Sequence, residues 1–338
     1  MRQAAITDEF QLIARYFAPL AEGAPSAYGL TDDAATLAIP TGRSSVITAD
    51  MLVAGIHFLE NDPPHGIGAK VMAVNLSDLA AMGADPLAYV LSIALPSAWR
   101  EGARCDWLEG FTAGMAEMQA RFGLTLIGGD TVSTPGPLCL AVTAFGTIET
   151  GRELRRAGAK PGDTVFVSGT IGDSVIGLGE LTGRPIGLLE ANQAEVAIGR
   201  YRLPTPRVAL GRALVGLATA CADVSDGFIA DLGHICEASG VAATVDAARM
   251  PLSEAGRSVL ANDPESLLTL LTGGDDYELV FTAPREQTEA IGDAAARSGV
   301  PVSAVGEIGK REPDTPLVSV VGPDRRALVV GRGGWRHF

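Results

Sequence analysis

Acidic residues recur beside glycines and at the ends of short apolar runs, in Thr31-Asp32-Asp33, Thr48-Ala49-Asp50, Gly128-Gly129-Asp130, Asp223-Val224-Ser225-Asp226-Gly227 and Gly273-Gly274-Asp275-Asp276. Asp78 falls in a helix-like stretch between them. Taken singly, each acid fits a turn or a helix cap. Their repetition along the chain points to loops that converge and hold hard cations through oxygen ligands. Carboxylates repel phosphate, so such a site meets a nucleotide through bridging Mg2+ ions. Glycines beside the acids let backbone approach the phosphates closely. The other common solution, a phosphate loop of the form G-x-x-x-x-G-K-[ST], does not occur, since Gly309-Lys310-Arg311 lacks both the spacing and the hydroxyl residue.

Other residues carry two readings each. His57, after Gly55-Ile56, suits a hydrogen-bonded packing residue or a ligand. Arg155 and Arg156 suit a solvated charge run or a phosphate clamp. Asn75 and Asp78, three apart, share a polar stripe that fits an exposed helix face or a site. Trp335 suits the packing of a chain end or stacking on a ring.

The elements that would carry these residues alternate between strand and helix. A helix is expected over Asp8 to Phe17 with Thr7 as its cap. The β-branched Ser45 to Thr48 reads as a strand ending at Asp50 and delivering an acid to its tip. Lys70 to Met82 reads as a helix stopped by Gly83 and Pro86, Tyr89 to Leu95 as a strand and Trp107 to Phe122 as a helix. Leu124 to Ile127 reads as a strand running into Gly128-Gly129-Asp130, and Leu138 to Gly146 as another. The texture changes near Thr150, where a charged run and Gly158-Ala159-Lys160-Pro161-Gly162 mark a domain boundary. Beyond it the pattern predicts strands over Thr164–Ser168, Ala222–Val224, Val241–Val245, Glu278–Thr282 and Val302–Val305. Helices are expected from Asp173, over Arg207–Ala220, and over Asp226–Ala238 with acids in its first turn. Both halves therefore read as mixed α/β.

At 338 residues, 47% of them hydrophobic, the chain exceeds one core and has material to bury two. A net charge of -14 disfavours nucleic acid as a partner. The four cysteines show no C-x-x-C spacing, against a zinc site or redox pair. Apolar runs such as Ala88 to Leu95 fall short of the ~20 residues that span a bilayer. No apolar leader precedes the first acids, so a cytoplasmic protein without a membrane partner is expected.

The strings Thr48-Ala49-Asp50-Met51-Leu52-Val53-Ala54-Gly55-Ile56-His57-Phe58, Ala73-Val74-Asn75-Leu76-Ser77-Asp78-Leu79-Ala80-Ala81-Met82-Gly83-Ala84, Ile127-Gly128-Gly129-Asp130-Thr131, Asp223-Val224-Ser225-Asp226-Gly227 and Gly273-Gly274-Asp275-Asp276-Tyr277-Glu278-Leu279 together resemble the thiamine-monophosphate kinases. The resemblance runs from the first helix to the terminal Gly-Trp-Arg-His-Phe. It implies ATP-dependent phosphorylation of thiamine monophosphate to thiamine diphosphate, with several Mg2+ ions, by a homodimer. It also implies an α/β (mixed α+β) two-domain fold shared with aminoimidazole ribonucleotide synthetase and selenophosphate synthetase. Residues 1–150 would form an ATP- and Mg-binding domain pairing with a second copy through a shared sheet. Residues 151–338 would form an α/β domain completing the nucleotide and substrate cleft.

By position, Asp33, Thr48, Asp50, Asp78, Asp130, Asp223 and Asp226 are similar to the family's Mg2+ ligands. Gly129, Asp130, Arg156 and Ser225 look like its nucleotide contacts, and His57, Asp275 and Trp335 match its thiamine-phosphate contacts. An acid and an aromatic ring suit a cationic thiazolium. No residue is expected as general base, because the acceptor phosphate is already ionised and attacks in line. The chain departs from the family at Thr31, where Gly is frequent; at Phe111-Thr112, where the family tends to carry a ring near the nucleotide; and at Asp275, where relatives can carry Glu. Two alternatives stand beside this reading: an aminoimidazole ribonucleotide synthetase-like enzyme, disfavoured by His57 in its Gly-Ile-His-Phe context, and a catalytically silent Mg-nucleotide-binding protein, disfavoured by intact acids at every matched metal position.

Overall fold

The computed structural model describes residues 9–313, 315–322, 326–329 and 334. The chain forms two compact units, one comprising the residues up to Leu79 and Asp85–Thr150, the other Ala80–Ala84 and the residues from Gly151. Each is described by itself.

The first unit opens with a short helix, α1 (Glu9–Leu12), that passes into a π turn over Ile13–Phe17 and a 3-10 turn over Ala18–Ala21. The expected α-helix does not persist, and Pro19, with no N–H to give the carbonyl four residues back, sits in the first turn of its tighter successor. The proposed cap Thr7 lies outside the described residues. The main elements are β1 (Arg43–Val53), α2 (Pro64–Ala81), β2 (Asp85–Pro96), α3 (Glu101–Phe122), β3 (Thr125–Thr134) and β4 (Cys139–Glu149). The strands form a four-stranded sheet in the order β1-β4-β2-β3, antiparallel except for the β2–β3 pair.

The register fixes which side chains share a face. Thr48 pairs with Ala144 and Ala144 with Tyr89; Asp50 pairs with Val142 and Val142 with Leu91. Ala144, Tyr89, Val142 and Leu91 are all buried, and Tyr89 donates from its hydroxyl to Gln119 of α3, so this is the helix-covered face. The helices lie very close together: a Cβ on Gly68 of α2 would stand 2.0 Å from the Phe111 carbonyl oxygen, and one on Gly114 of α3 would stand 2.0 Å from that of His65. Only glycine at both positions permits this approach, which seats α2 over the sheet. On the opposite face Ala88, Val90 and Phe145 are packed by Ala27, Leu30, Ala35 and Leu37 of the N-terminal segment, while Ile47, Met51 and Val132 stay 61%, 61% and 50% exposed.

The second unit contains β5 (Thr164–Ser168), α4 (Asp173–Leu181), α5 (Ala191–Arg202), α6 (Val208–Ala213), β6 (Ala220–Asp223), α7 (Phe228–Ser239), β7 (Val241–Asp246), α8 (Glu254–Asn262), α9 (Leu267–Thr272), β8 (Leu279–Ala283), α10 (Thr288–Ser298), β9 (Val302–Lys310), β10 (Val318–Val321) and β11 (Ala327–Leu328). Its seven-stranded sheet runs β11-β10-β7-β9-β5-β8-β6. Phe228, Leu232, Ile235 and Cys236 of α7 join Val165, Val167, Ala222 and Val280 of the sheet in one core cluster. That packing anchors the start of α7, where the acids of the second unit lie. The helix expected over Arg207–Ala220 is shorter than the pattern suggests. Gly216, at φ +84°, lies beyond its end, and the chain enters β6 at Ala220.

Candidate functional site

Two groups of acids lie in the first unit. In the first group, Thr48 and Asp50 point from β1 toward α2. The Thr48 hydroxyl donates to the Asp78 carboxylate, and the Asp50 N–H donates to Asn75 Oδ1 at 3.2 Å. Asn75 is fully buried and donates to the Val71 carbonyl at 3.0 Å, which fixes its amide. Asn75 and Asp78 are therefore not an exposed helix face. Asp50 is also not at a strand tip, because β1 continues to Val53 and Asp50 sits in mid-strand. Burial, and after it the neighbouring Asp78, push the Asp50 carboxyl up from 3.8 to about 6. Two mutually repelling carboxylates and a hydroxyl, all partly buried, form an all-oxygen donor set that fits Mg2+.

The second group is Asp33 and Asp130. They line a cavity of about 610 Å3 together with Gly129, Phe17, Leu37 and Phe145. Gly128-Gly129-Asp130 lies inside β3, which runs on to Thr134, and not at the strand end expected from the sequence. A Cβ on Gly129 would stand 1.9 Å from the Leu91 carbonyl oxygen, so the close β2–β3 approach requires glycine there. Leu126 pairs with Tyr89 and Gly128 with Val90, leaving Ile127 as a bulge. In consequence Asp130, opposite Ser92, Ala141 and Met51, is on the face turned away from α2 and α3. The two groups thus occupy opposite faces and opposite edges of the sheet, three steps of about 4.8 Å apart. Ahead of Asp33, Tyr28, Gly29 and Leu30 adopt φ of +49°, +67° and +59°, a strained turn closed by the Thr31 hydroxyl on the Tyr28 carbonyl at 2.8 Å.

His57 is half-buried in the turn after β1. The Val53 N–H donates to its Nδ1 at 3.0 Å, so the neutral ring carries its proton on Nε2. Phe111 is fully buried and stacks on Trp107 with ring centroids 4.7 Å apart, which makes it a core residue and not a surface for a base.

In the second unit the two remaining acidic loops are joined through their backbones. Asp275 N–H donates to the Ser225 carbonyl and Tyr277 N–H to that of Val224, each at 2.8 Å, and Val224 N–H donates to the Glu278 carbonyl at 2.8 Å. Asp223, Ser225, Asp226 and Asp275 are thereby brought side by side. Asp275 and Tyr277 hold φ of +69° and +49°, a strained conformation maintained by what surrounds it. Asp276 is buried and accepts from the N–H groups of Gly172 and Ser174 at 2.7 and 3.2 Å. Burial pushes its carboxyl up to about 8 against those two amides. Glu278, with no exposed surface, is held by Arg200, by Arg207 and by the Ser168 hydroxyl, the last at 2.6 Å.

Asp231 of α7 is a residue the motifs did not single out. It brings a carboxylate to within 4.8 Å of donor atoms on Asp226 and His234. Burial first, then Asp226, push its carboxyl up to about 7, while amide hydrogen bonds and the positive charge of Arg156 oppose the shift. Arg156, exposed as a solvated charge would be, therefore lies within electrostatic reach of this loop. Trp335 lies outside the described residues. Beside it in sequence, a Cβ on Gly334 would meet the Asp226 carbonyl oxygen at 2.6 Å. Glu278 with its two arginines was legible only as part of the string Asp275-Asp276-Tyr277-Glu278-Leu279. Asp231 could have been found as the acid one helical turn into a helix that begins beside Asp226.

Comparison with known proteins follows the same division of the chain. Residues 31–148 match the model of the AIR synthase related protein, N-terminal domain, and residues 160–318 that of the C-terminal domain. The thiamine-monophosphate kinase of Caulobacter vibrioides is 42% identical over 99% of this chain and 92% of its own length. The crystal structure of thiamine-monophosphate kinase from Stenotrophomonas maltophilia is 41% identical, with a TM-score of 0.77 over 88% of this chain and 90% of that one. A structure of AaThiL complexed with AMPPCP and TMP is 28% identical, with a TM-score of 0.75 over 100% of both chains.

The Asp50 geometry predicts a pH and metal signature. Its carboxyl is raised from 3.8 to about 6 in the folded chain, so folding favours its protonated form and the metal-free protein loses stability as pH rises through 6. Asp50→Asn removes that ionisation. At pH 7.5 in EDTA the variant should melt about 2–4 °C above the wild type, the shift that ~1 kcal/mol gives in a domain of this size. Differential scanning calorimetry should also show that Mg2+ stabilises the wild type and not the variant.

Proposed function

This chain belongs to the thiamine-monophosphate kinase family, and from that premise we propose that it transfers the γ-phosphoryl group of ATP to thiamine monophosphate, giving thiamine diphosphate and ADP. The observation that carries the reading is an all-oxygen donor set at the matched positions of a chain related to these kinases along nearly its whole length. Mg2+ would be held by Asp33, Thr48, Asp50, Asp78 and Asp130 of the first unit and by Asp223 and Asp226 of the second. Held there, it would neutralise charge on the transferring phosphoryl group.

The chain's own part is to bind and orient. Gly129 and Ser225 offer backbone and hydroxyl contacts to the nucleotide, and Arg156 offsets phosphate charge. His57, whose Nδ1 accepts from the Val53 N–H, would contact the thiamine phosphate through Nε2–H. The Asp275 carboxylate would face the cationic thiazolium, and Trp335, outside the described residues, would supply the ring. None of these groups takes a proton, because the acceptor phosphate oxygen is ionised at neutral pH, its second pKa being about 6. Among the described residues no helix is long and apolar enough to cross a membrane, which suits a cytoplasmic enzyme.

Purified protein incubated with ATP, Mg2+ and thiamine monophosphate should yield thiamine diphosphate in step with ADP, separated by chromatography. The product should vanish in EDTA and with free thiamine as acceptor. Asp226→Asn keeps the side-chain volume and removes one charged ligand, so it should lower turnover by about 100-fold or more while leaving the fold intact. ATP consumption without thiamine diphosphate would redirect the search to another acceptor.

A homodimer follows from the same reading. The exposed part of the sheet face, with Ile47, Met51 and Val132, is what a second copy would cover. Pairing there also offers a route by which the separated Asp50 and Asp130 groups serve one nucleotide, one from each copy. Asp50→Asn and Asp130→Asn should each be inactive alone. Dissociated and remixed, they should recover about a quarter of wild-type activity, since half of the random dimers are mixed and each mixed dimer holds one intact site. No recovery despite exchange would place both acids in one subunit's site.

A further inference from the structure

Asp231 is 1% exposed and stands in the first turn of α7. Its Oδ2 accepts three successive backbone N–H groups, from Ser225 at 3.0 Å, Asp226 at 3.0 Å and Gly227 at 3.1 Å. Consecutive amides converging on one point make a concave nest of the kind that binds phosphate or another anion. Here the anion is supplied by the chain itself. With the amides turned inward, the other groups of the loop are directed elsewhere: the Ser225 carbonyl receives the Asp275 N–H at 2.8 Å, and the Asp226 carbonyl lies against Gly334. The loop backbone is thereby pinned from both sides, and with it the origin of the Asp226 side chain.

We infer that Asp231 is a positioning residue: its carboxylate fills the amide nest of Ser225, Asp226 and Gly227, turning a loop of anion-binding form into one that presents carboxylates to a divalent cation. The inference rests on the proposed kinase reading for the identity of that cation. It gives Asp231 no contact with substrate. The negative charge matters as well as the shape, because a single carboxylate oxygen accepts three donors, whereas the neutral Asn amide offers a weaker acceptor and brings two donors of its own into a site already full of them. Released amides would be free to turn toward solvent or phosphate, and the Asp226 carboxylate would lose its fixed direction.

The test reads metal binding apart from turnover, with Mn2+ in place of Mg2+ and free Mn2+ followed by electron paramagnetic resonance. Asp231→Asn should weaken Mn2+ binding by about 10- to 100-fold and lower kcat by a similar factor, while KM for thiamine monophosphate changes little. Cys236→Ala, in the same helix and equally buried, is the control for simple destabilisation: it should lower the melting temperature and leave Mn2+ affinity as in the wild type. Should Asp231→Asn fail to fold, Gly274→Ala presses on the same loop with Asp231 intact, its Cβ 2.5 Å from the Ser225 carbonyl oxygen, and should reproduce the Mn2+ loss. Wild-type Mn2+ affinity in a folded Asp231→Asn, or in Gly274→Ala where the first variant does not fold, overturns the inference. A loss equalled by Cys236→Ala also overturns it. Wild-type protein that binds Mn2+ but forms no thiamine diphosphate would overturn the kinase reading and leave the role of Asp231 standing.

Discussion

Repulsion between carboxylates is the constraint on which this structure depends. Acids placed close enough to share a cation repel one another until it arrives, and burial sharpens the effect. Asp50 and Asp231 show both, since burial first and then the neighbouring Asp78 or Asp226 raise their carboxyls. The chain contains that repulsion by giving acids fixed donors. Thr48 donates to Asp78, and Asn75, itself tied to Val71, receives the Asp50 N–H and holds that stretch of β1. Three amides meet Asp231, and two meet Asp276.

The rest of the architecture keeps those donors in place. In the first unit the glycine contact between α2 and α3 seats the Asn75–Asp78 stripe over β1. In the second, the core cluster under α7 anchors the helix that carries Asp231. Glu278 fixes the end of the neighbouring loop through two arginines and a serine, and removing one partner of such a buried group would leave uncompensated charge. That rigid support is what lets Asp275 and Tyr277 persist in a backbone region side chains seldom enter.

Much of this was legible in the residues, and what was missed has physical reasons. The cluster of Thr48, Asp50 and Asp78 and the proximity of Asp223, Ser225, Asp226 and Asp275 follow from motif positions. Strand periodicity could not show that Asp50 and Asp130 lie within strands, because β-ladder hydrogen bonds carry β1 and β3 past the β-branched core of each pattern. The face on which Asp130 stands depends on one bulged residue, Ile127, and a slip of one residue reverses every side chain that follows. Helices α5, α8 and α10 escaped notice because they are short and largely polar on the outside. Asp231 escaped because its partners are backbone amides, which leave no pattern of side chains to read.

In the proposed kinase the nucleotide would be held through metal-bridged carboxylates, and isothermal titration of the wild-type protein with a non-hydrolysable ATP analogue tests this directly. The expected result is no measurable binding in EDTA, and binding that appears with Mg2+ and strengthens as its concentration rises beyond that of the analogue. Equal affinity with and without Mg2+ would contradict it, and would mean that amides and arginines, not aspartates, carry the phosphates.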